Sequence, residues 1–597
     1  MPDISSTPRA EYERRLTAWR DRLAALDRRH LTLSNGRLLL AALLALALWF
    51  TFVLPALSPW WPVAAGVAFA ALVIVHARVL ERIERARGAE RVYLRGIERL
   101  NGRWAGTGRD GAHFIGDHPY ARDLDLFGRA SLFELLNTAR TEAGEATLAA
   151  WLSAGAPVGE VLARQQAVDE LRRNVDLRED LAVLAAETAI SRTGALVAWA
   201  LAPSIGFTRR IGFVFIACGA VAVALAVLAF AELVAARWLI FWLFAEAALA
   251  ISWQRRFKQV LAGIEAPDRD LGLLAGLLAR IEIERFSSPR LGALQASLLT
   301  HGVPPSKRIA QLRRMVSWLD STRNQMFAPF AYVLMLPQLL AIAIDGWHRD
   351  YGHAVDDWLR VVGELEALSS MATFAYEHPG DPFPTVVDKG PLFEADALAH
   401  PLLPADAAIP NDVRLGGDHS HVIVVSGSNM SGKSTLLRSV GVNVVLALAG
   451  SPVRAAALRL SPLVLGATLR VEDSLEAGRS RFYAEILRIR TIVDAARGPV
   501  PLLFLLDEIL HGTNSYDRRI GAEAIVRALA EGGAIGLVTT HDLALTELPS
   551  RLSVPAVNMH FEDRLEGGRM VFDYRMRPGV VEHSNALALM RAIGLDV

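Results

Sequence analysis

Two stretches near the N-terminus contain no charged residue. The first runs from Leu38 to Leu54, and the second runs from Trp60 to Val75. Each is close to the minimum of about 17–20 apolar residues that a helix needs to cross the hydrocarbon core of a bilayer. Only Pro55–Pro59 separates them, which leaves room for a tight turn. The pattern therefore predicts a transmembrane helical hairpin over residues 38–76.

A second pair of apolar runs follows further along the chain. Ile211–Ala231 carries no charge, and Trp238–Trp253 carries only Glu246. This pattern predicts a second transmembrane hairpin over residues 211–253. Burial of the runs in a soluble helical bundle is the alternative for both hairpins. It has more weight for the second, because a carboxylate is costly in lipid.

Arginines lie on both sides of each hairpin, and positive charge marks the cytoplasmic side of a membrane. About 37 mostly polar residues precede the first apolar run, which is not the pattern of a signal peptide. We therefore expect a multi-pass protein of a bacterial-type inner (plasma) membrane, with the N-terminus and the C-terminal region in the cytoplasm. The flanking basic residues are Arg20, Arg22, Arg28, Arg29, Arg37, Arg78, Arg82, Arg85, Arg87, Arg91, Arg209, Arg210, Arg255, Arg256 and Lys258.

The composition agrees with partial membrane burial and excludes several classes of protein. The 597 residues are 52% hydrophobic and 21% charged, and the mean hydropathy is +0.28, which excludes a disordered chain. Basic and acidic residues number 63 each, so bulk positive charge cannot drive nucleic-acid binding. The single cysteine, Cys218, excludes intramolecular disulfides and cysteine-based zinc sites.

From about residue 420, short β-branched runs alternate with helical patterns, which indicates a parallel α/β sheet. The predicted strand His421–Val425 leads into Gly427–Ser434, which fits the phosphate-binding pattern GxxxxGK[ST], and then into a predicted helix, Thr435–Leu448. Such a loop turns its backbone N–H groups towards phosphates, while the lysine binds the β and γ phosphates and the last hydroxyl binds Mg²⁺. The predicted ATP-binding residues are Gly427, Ser428, Asn429, Met430, Ser431, Gly432, Lys433, Ser434 and Thr435.

Two further strands end in polar residues. The predicted strand Pro501–Leu506 is followed by Asp507 and Glu508, and the predicted strand Ala534–Thr539 is followed closely by His541. We expect Asp507 and Ser434 to hold Mg²⁺, and Glu508 to act as general base towards the attacking water, with His541 as a second catalytic residue. Taken alone, paired carboxylates occur by chance, and a lone histidine after a strand is usually structural.

One apolar run is interpreted differently. Met326–Ile344 is uncharged, but Pro329, Pro337 and Gln338 interrupt it. A fifth span would place the ATP-binding region outside the cell. We therefore expect this run to form a buried helix of the soluble part.

The motifs resemble the ATPase of the MutS mismatch-repair family. The resemblance rests on SGSNMSGKSTLLRSVG, LLDEILHGTNSYDR and TTHDL, and on Glu472–Glu485, which is similar to the signature stretch of the family. It implies a homodimer through the ATPase domains, in which Ser480 contacts the ATP of the partner subunit. It also implies DNA as a further partner. Upstream, Leu124–Leu152 and Arg164–Leu181 resemble the helical core, or lever, of the family.

The expected fold is an α/β P-loop ATPase domain with a parallel sheet, C-terminal to an α-helical core domain, with two transmembrane hairpins. The expected boundaries are a cytoplasmic N-terminal helix at 1–37, hairpin 1 at 38–76, an arginine-rich helix and linker at 77–118, the first part of the core at 119–210, hairpin 2 at 211–253, the second part of the core at 254–398 and the ATPase domain at 399–597.

The sequence also departs from the family. No segment resembles its mismatch-reading domain with the Phe-x-Glu motif, and the two hairpins stand where relatives carry DNA-reading parts. Ala407–Ile409 lacks the aromatic residue that can stack on adenine in relatives. We therefore expect a membrane-anchored MutS-like ATPase that acts on mismatched or branched DNA in repair or recombination. An ATP-driven membrane machine, or a nucleotide-dependent membrane scaffold without DNA binding, is the alternative.

Overall fold

A computed structural model describes residues 7–581 except for 55, 187–192, 262–267, 300–301, 326, 429, 470–480, 511–512 and 567–568. The N-terminal two thirds of the chain is helical. Its helices are α1 Pro8–Phe52, α2 Trp60–Leu100, α3 Leu132–Leu136, α4 Glu142–Ser153, α5 Val158–Arg173, α6 Val175–Ala186, α7 Thr193–Leu201, α8 Arg209–Phe230, α9 Arg237–Leu261, α10 Asp268–Ile283, α11 Pro289–Ser297, α12 Pro305–Ser321, α13 Ala328–Val333 and α14 Leu336–Glu377.

Helices α1 and α2 pack against each other along their length as a long hairpin. Thr7 caps α1, since its hydroxyl accepts a hydrogen bond from the N–H of Ala10 at 3.4 Å. Each helix continues without a break from the charged part into the apolar part. The predicted N-terminal helix and the first apolar run are thus one helix, because arginine and glutamate are good helix formers and do not end it.

The charged end of this hairpin packs on the helical core. Tyr12 and Tyr93 form a small buried cluster with Leu16. The Tyr12 hydroxyl donates to Glu377 Oε1 at 3.1 Å, and Arg99 forms an ion pair of 2.6 Å with the same carboxylate. Helix α6 also contacts the hairpin, since Arg15 of α1 pairs with Glu179 at 2.9 Å, so α14 and α6 together join the hairpin to the core.

Helices α8 and α9 form a second hairpin. By length and composition, α1, α2 and α8 are the described helices apolar enough to cross a membrane, and α9 is not among them. Helix α9 carries Glu246, which is 4% exposed and accepts a hydrogen bond from Trp242 Nε1 at 3.1 Å. The same indole N–H lies 3.2 Å from the carbonyl of Cys218 in α8, so Glu246 faces the inside of the hairpin.

The run 326–344 is not a single buried helix, and this interpretation was wrong. Helix α13 ends at Val333, Met335 adopts a left-handed φ of +51°, and α14 starts at Leu336. Pro337 lies at the start of α14, where its missing N–H costs no helical hydrogen bond. Phe330 is 67% exposed, so the segment is also only partly buried.

The C-terminal part contains two sheets. Its strands are β1 Thr385–Val386, β2 Leu392–Leu398, β3 Asn411–Gly416, β4 Val422–Ser426, β5 Ala457–Leu460, β6 Val464–Thr468, β7 Leu502–Asp507, β8 Ile535–Thr540, β9 Ala556–Glu566 and β10 Arg569–Pro578, and its helices are α15 Lys433–Ala449, α16 Arg481–Ala495 and α17 Ser515–Glu531. A small sheet has the order β1-β5-β2-β3, and the larger one has the order β10-β9-β4-β8-β7-β6.

The larger sheet is parallel from β9 to β6, and only β10 is antiparallel to its neighbour. The register pairs Ser426 with Thr540 and Asp507 with Thr539. The carboxyl ends of β4, β8 and β7 therefore meet at one edge of the sheet. This edge is where open α/β sheets bind their ligands.

Candidate active site

The loop after β4 has the backbone shape that a phosphate-binding loop requires. Gly432 has a φ of +103° and ends the loop just before α15. A Cβ at Gly427 would lie 2.9 Å from Ser431 Oγ and 3.1 Å from the carbonyl oxygen of Phe561. Only glycine is accommodated at these two positions without strain.

Lys433 points into this loop. It is 5% exposed, and its Nζ donates to the carbonyl oxygens of Gly427 and Ser428, both at 2.9 Å. Its Nζ also lies 3.4 Å from Glu508 Oε1. The first helical residue after the loop thus places its ammonium group beside the carboxylate at the end of β7.

Ser434 and Asp507 lie together, as the sequence predicts. The Ser434 hydroxyl donates to Asp507 Oδ2 at 2.5 Å, and the Thr539 hydroxyl donates to Asp507 Oδ1. A hydroxyl and a carboxylate are the oxygen ligands that Mg²⁺ prefers beside phosphates. The prediction placed Asp507 after the strand, whereas it is the last residue of β7.

Glu508 is held in an unusual backbone conformation, with a φ of +47°. Its N–H lies 3.1 Å from Thr539 Oγ1 and 3.3 Å from the Thr539 carbonyl oxygen. Its Oε1 is 3.3 Å from His541 Nδ1. A left-handed φ at a non-glycine residue costs about 1–3 kcal/mol and persists where the surroundings impose it. The carboxylate is therefore fixed between Lys433 and His541.

A cavity of about 720 Å³ opens over these residues, which is within the usual range for ligand sites. Its walls include Met430 and Thr435 from the loop and helix α15, as well as Ala407, Ala408 and Ile409. Ser428 Oγ and Ser431 Oγ are buried without a hydrogen-bond partner in the described part of the chain. Unpaired hydroxyl donors around a loop of this shape fit the phosphate oxygens of a nucleoside triphosphate, and the Ser434–Asp507 pair fits Mg²⁺.

Two predicted residues lie outside the part of the chain that the structure describes. They are Asn429 of the loop and Ser480, which was expected to contact the ATP of a partner subunit. Seven of the other predicted residues line one cavity, namely Met430, Gly432, Lys433, Ser434, Thr435, Asp507 and Glu508. His541 lies beside it, with Nδ1 3.3 Å from Glu508 Oε1.

Sequence reasoning missed Thr539 and Tyr574. Tyr574 lies in β10 with a φ of +54°, and its ring comes within 3.1 Å of the Cβ position of Gly432. Asn411 holds this backbone, because its Nδ2 donates to the Tyr574 carbonyl at 3.0 Å and its Oδ1 accepts from Met576 N–H at 2.7 Å. Tyr574 thus offers the aromatic ring that residues 407–409 lack. No local motif marks it, because its position follows from the sheet order.

The site also connects to the helical core through Asp123, which is fully buried. Its Oδ1 accepts from the N–H of Leu469 at 2.8 Å, and its other oxygen pairs with Arg488 of α16. Arg438 of α15 donates to its carbonyl oxygen at 3.2 Å. One residue, Asp123, therefore contacts the helix after the phosphate loop and also α16, which begins within the stretch Glu472–Glu485.

Comparisons with known proteins match this part of the chain. The family model described as MutS domain V matches residues 423–596. A DNA mismatch repair protein MSH3 of Phaeosphaeria nodorum is 33% identical over 244 residues, which are 39% of this chain and 21% of the relative. A MutS of Natronomonas pharaonis is 32% identical over 246 residues, which are 40% of this chain and 28% of the relative.

A third relative is a DNA mismatch repair protein MutS 2 of Haloarcula marismortui, 35% identical over 257 residues, which are 39% of this chain and 26% of the relative. The chain thus spans only between 21% and 28% of the length of these relatives. The match nevertheless covers β4, the phosphate loop and the ends of β7 and β8. The resemblance inferred from the motifs is confirmed for the C-terminal part of the chain, because residues 423–596 match MutS domain V and the relatives that are 32–35% identical are MutS and MSH3 proteins.

Proposed function

We propose that the chain is a Mg²⁺-dependent ATPase. One observation carries this proposal, namely the meeting of Lys433, Ser434, Asp507 and Glu508 at one edge of the parallel sheet. Lys433 binds the terminal phosphates, and Ser434 and Asp507 hold the metal. When bound, Mg²⁺ neutralises charge that develops on the phosphates.

Glu508 acts as the general base in this proposal. Its carboxylate accepts a proton from the water that attacks the γ-phosphate. His541 is 3.3 Å from that carboxylate and orients it, and it can also contact the attacking water. Ser480 contributes in trans to the ATP of a second copy, so the active form is a homodimer.

We infer that ATP hydrolysis is coupled to the binding of DNA with a mismatched or branched structure. The support comes from the relatives, whose names describe them as DNA mismatch repair proteins. Asp123 supplies a route by which closure of the ATPase domains would move the helical core. The role in repair or recombination belongs to the same proposal.

We also propose that the protein is anchored in a bacterial-type inner (plasma) membrane, with its N-terminus and its ATPase domain in the cytoplasm. The apolar halves of the hairpins expose large side chains, since Leu38, Trp60 and Phe213 are 69–75% exposed. Contiguous apolar surface of this kind is unfavourable in water and favourable in lipid. Glu246 does not oppose this placement, because it faces α8 rather than the outside of the hairpin.

An ATP-driven membrane machine is the second candidate, and one contact favours it. Asp345, in α14, accepts hydrogen bonds from the N–H groups of Ile205, Gly206 and Phe207 at 2.9–3.1 Å. These residues immediately precede α8. The core helix that contacts the first hairpin through Glu377 therefore also holds the base of the second hairpin.

ATPase turnover of the detergent-solubilised full chain tests the proposal. It is measured alone and with homoduplex, mismatched and branched DNA at low salt, where phosphate contacts are strongest. We expect hydrolysis that mismatched or branched DNA stimulates. Hydrolysis without DNA binding or stimulation would refute the DNA role and leave the membrane machine.

The variant Glu508→Gln tests the assignment of the base. We expect it to bind ATP, to form a closed dimer and to lose hydrolysis. Glu531→Gln makes the same change outside the cavity and should hydrolyse normally. Unaltered hydrolysis by Glu508→Gln would show that another group is the base.

Carbonate extraction of membranes tests the anchor. We expect the full chain to stay in the membrane pellet. Release into the soluble fraction would refute insertion of both hairpins.

A further inference from the structure

A second, smaller cavity lies where the first hairpin meets the helical core. Its volume is about 80 Å³, and it is lined by α1, α2, α6, α14 and the segment after α3. Since about 10–15 Å³ of such space holds one water, the cavity has room for one tetrahedral ion of five heavy atoms. It is separate from the nucleotide cavity and shares no lining residue with it.

The lining is rich in arginine that lacks a carboxylate partner. Arg95 of α2 and Arg140 make no ion pair and no side-chain hydrogen bond with a described residue. Arg178 donates to the Thr373 hydroxyl at 3.0 Å and to two backbone carbonyls, and it pairs with no described carboxylate. Three guanidinium groups therefore line one small cavity without a direct counter-charge.

The nearby carboxylates do not neutralise them. Glu179 is paired with Arg15 at 2.9 Å, and Glu377 is paired with Arg99. Glu366 accepts hydrogen bonds from the N–H groups of Arg140 and Thr141 and from the Thr141 hydroxyl. Burial raises the pKa of Glu366 to about 7, so near neutral pH this carboxyl carries only part of a charge. Burial and the charges of Arg95, Arg109 and Arg99 lower the pKa of Arg140 to about 10.

Two buried donors in the lining have no hydrogen-bond partner. They are Arg140 Nε and Ser369 Oγ, and Ser369 is only 8% exposed. Native proteins pair nearly all such groups, so each unpaired one requires a reason. A guanidinium and a hydroxyl facing the same cavity are the donors that bind oxyanions.

We propose that this cavity binds one tetrahedral oxyanion of the phosphate class, held by Arg95, Arg140 and Ser369. A phosphate ion fits the volume, accepts hydrogen bonds from the unpaired donors and supplies the missing negative charge. Arg95 lines the cavity and is itself exposed to solvent.

The source of the anion is the aqueous phase rather than a lipid headgroup. Val75 is the last residue of the apolar run, and Arg95 lies 20 residues further along α2. At 1.5 Å per residue this separation is about 30 Å. This distance places Arg95, and with it the cavity, well outside the headgroup region.

The bound ion would join the hairpin to the core. Arg95 belongs to α2, whereas Ser369 belongs to α14, so the ion would add to the contacts that Tyr12 and Arg99 already make with Glu377. This inference does not rest on ATP hydrolysis.

Equilibrium dialysis with radiolabelled inorganic phosphate at constant ionic strength tests the site. The protein is the detergent-solubilised full chain carrying Lys433→Ala, which removes phosphate binding by the P-loop. We expect one phosphate per chain. Arg95→Gln and Arg140→Gln should each weaken binding about tenfold or more, since each removes a charge-assisted hydrogen bond.

The matched control is Arg103→Gln, which removes the same charge from the turn just after α2, where Arg103 faces solvent beside Glu98. It should bind as the parent does. Ser369→Ala removes a hydroxyl only and should weaken binding severalfold, which keeps the test valid even if Arg140→Gln does not fold. No phosphate binding, or equal binding by Arg95→Gln, Ser369→Ala and Arg103→Gln, would overturn the proposal.

A lipid arm separates the two sources of phosphate. Soluble dihexanoyl phosphatidic acid is titrated against the labelled phosphate in the same protein. We expect it to compete no better than unlabelled inorganic phosphate. Binding of the lipid without binding of inorganic phosphate would overturn the assignment to a soluble ion.

Discussion

Thr539 is the residue of the proposed ATPase site whose contribution can be isolated best. It is 1% exposed, and its hydroxyl donates to Asp507 Oδ1 while it accepts from the N–H of Glu508 at 3.1 Å. The change Thr539→Val keeps the shape of the side chain and removes both hydrogen bonds. It leaves the metal-binding carboxylate with Ser434 as its partner.

The expected size of the effect follows from the charge of Asp507, to which the Thr539 hydroxyl donates. A hydrogen bond to an ionised group contributes about 1.5–3 kcal/mol, which corresponds to a factor of about 10–100 in an equilibrium constant. Because Asp507 binds Mg²⁺ in the proposed mechanism, we expect the Mg²⁺ concentration for half-maximal ATPase activity to rise about tenfold or more. The assay is steady-state phosphate release at saturating ATP over a Mg²⁺ titration.

The neighbouring residue provides a matched control. Thr540 is 3% exposed, and among the described residues its hydroxyl bonds only to the backbone of Asp542, at 2.9 and 3.2 Å. Thr540→Val therefore makes the same chemical change on the same strand without touching Asp507. Its Mg²⁺ dependence should equal that of the parent. If the two variants shift the Mg²⁺ dependence equally, Thr539 does not position the metal ligand.

Three further changes test other parts of the structure. Tyr574→Ala should raise the KM for ATP about tenfold, because stacking of a base on an aromatic ring contributes about 1–3 kcal/mol. Tyr574→Phe keeps the ring and should leave the KM unchanged. Equal effects of the two variants in steady-state kinetics would refute stacking. Asp123→Asn removes the charge that pairs with Arg488 and should lower the free energy of unfolding by about 1–3 kcal/mol in a urea titration; an unchanged midpoint would show that the pair does not join core and ATPase region. Burial raises the pKa of Glu366 from 4.5 to about 7. The protonated carboxyl therefore contributes about 3 kcal/mol to the free energy of unfolding below pH 4.5, and this contribution is lost as the pH rises through 7. Glu366→Gln should flatten the fall in unfolding temperature between pH 5 and 8, and an unchanged profile would contradict the raised pKa.

The phosphate loop and the strand ends were predictable because their signals are local. The loop pattern lies within eight consecutive residues, and the apolar strands β7 and β8 carry their polar residues at the carboxyl end. A parallel sheet brings such ends to one edge whatever the strand order. Asp507, Glu508 and His541 could therefore be grouped without knowledge of the topology.

Thr539 and Tyr574 could not be found in this way. Thr539 reaches Asp507 because β8 is the neighbour of β7, and Tyr574 reaches Gly432 because β10 and β9 continue the sheet beyond β4. Strand order is a non-local property, and one sequence does not contain it in readable form. The sequence indicated only that the expected ring is missing at residues 407–409.

The apolar runs show a different limit. Hydropathy changes sharply at Leu38, yet α1 continues through it from Pro8 to Phe52. Hydropathy reflects the free energy of transferring a side chain from water into lipid, whereas backbone hydrogen bonding determines where a helix ends. Pro337 marks the break before α14 in the sequence, because a proline is favoured in the first turn of a helix and not inside it.

Helix α14 has a consequence for communication across the molecule. Asp345 holds the base of the second hairpin, and Glu377, 32 residues later, ends the helix beside Tyr12. The separation along the axis is about 48 Å. Both carboxylates are buried, so salt screens them weakly, but two unit charges about 48 Å apart interact by only about 0.3 kcal/mol at an effective dielectric constant of about 20. A change of charge at the base of the second hairpin is therefore hardly felt at Glu377, where the helix meets the first hairpin. Any signal between the two hairpins through α14 has to travel as a displacement of the helix itself.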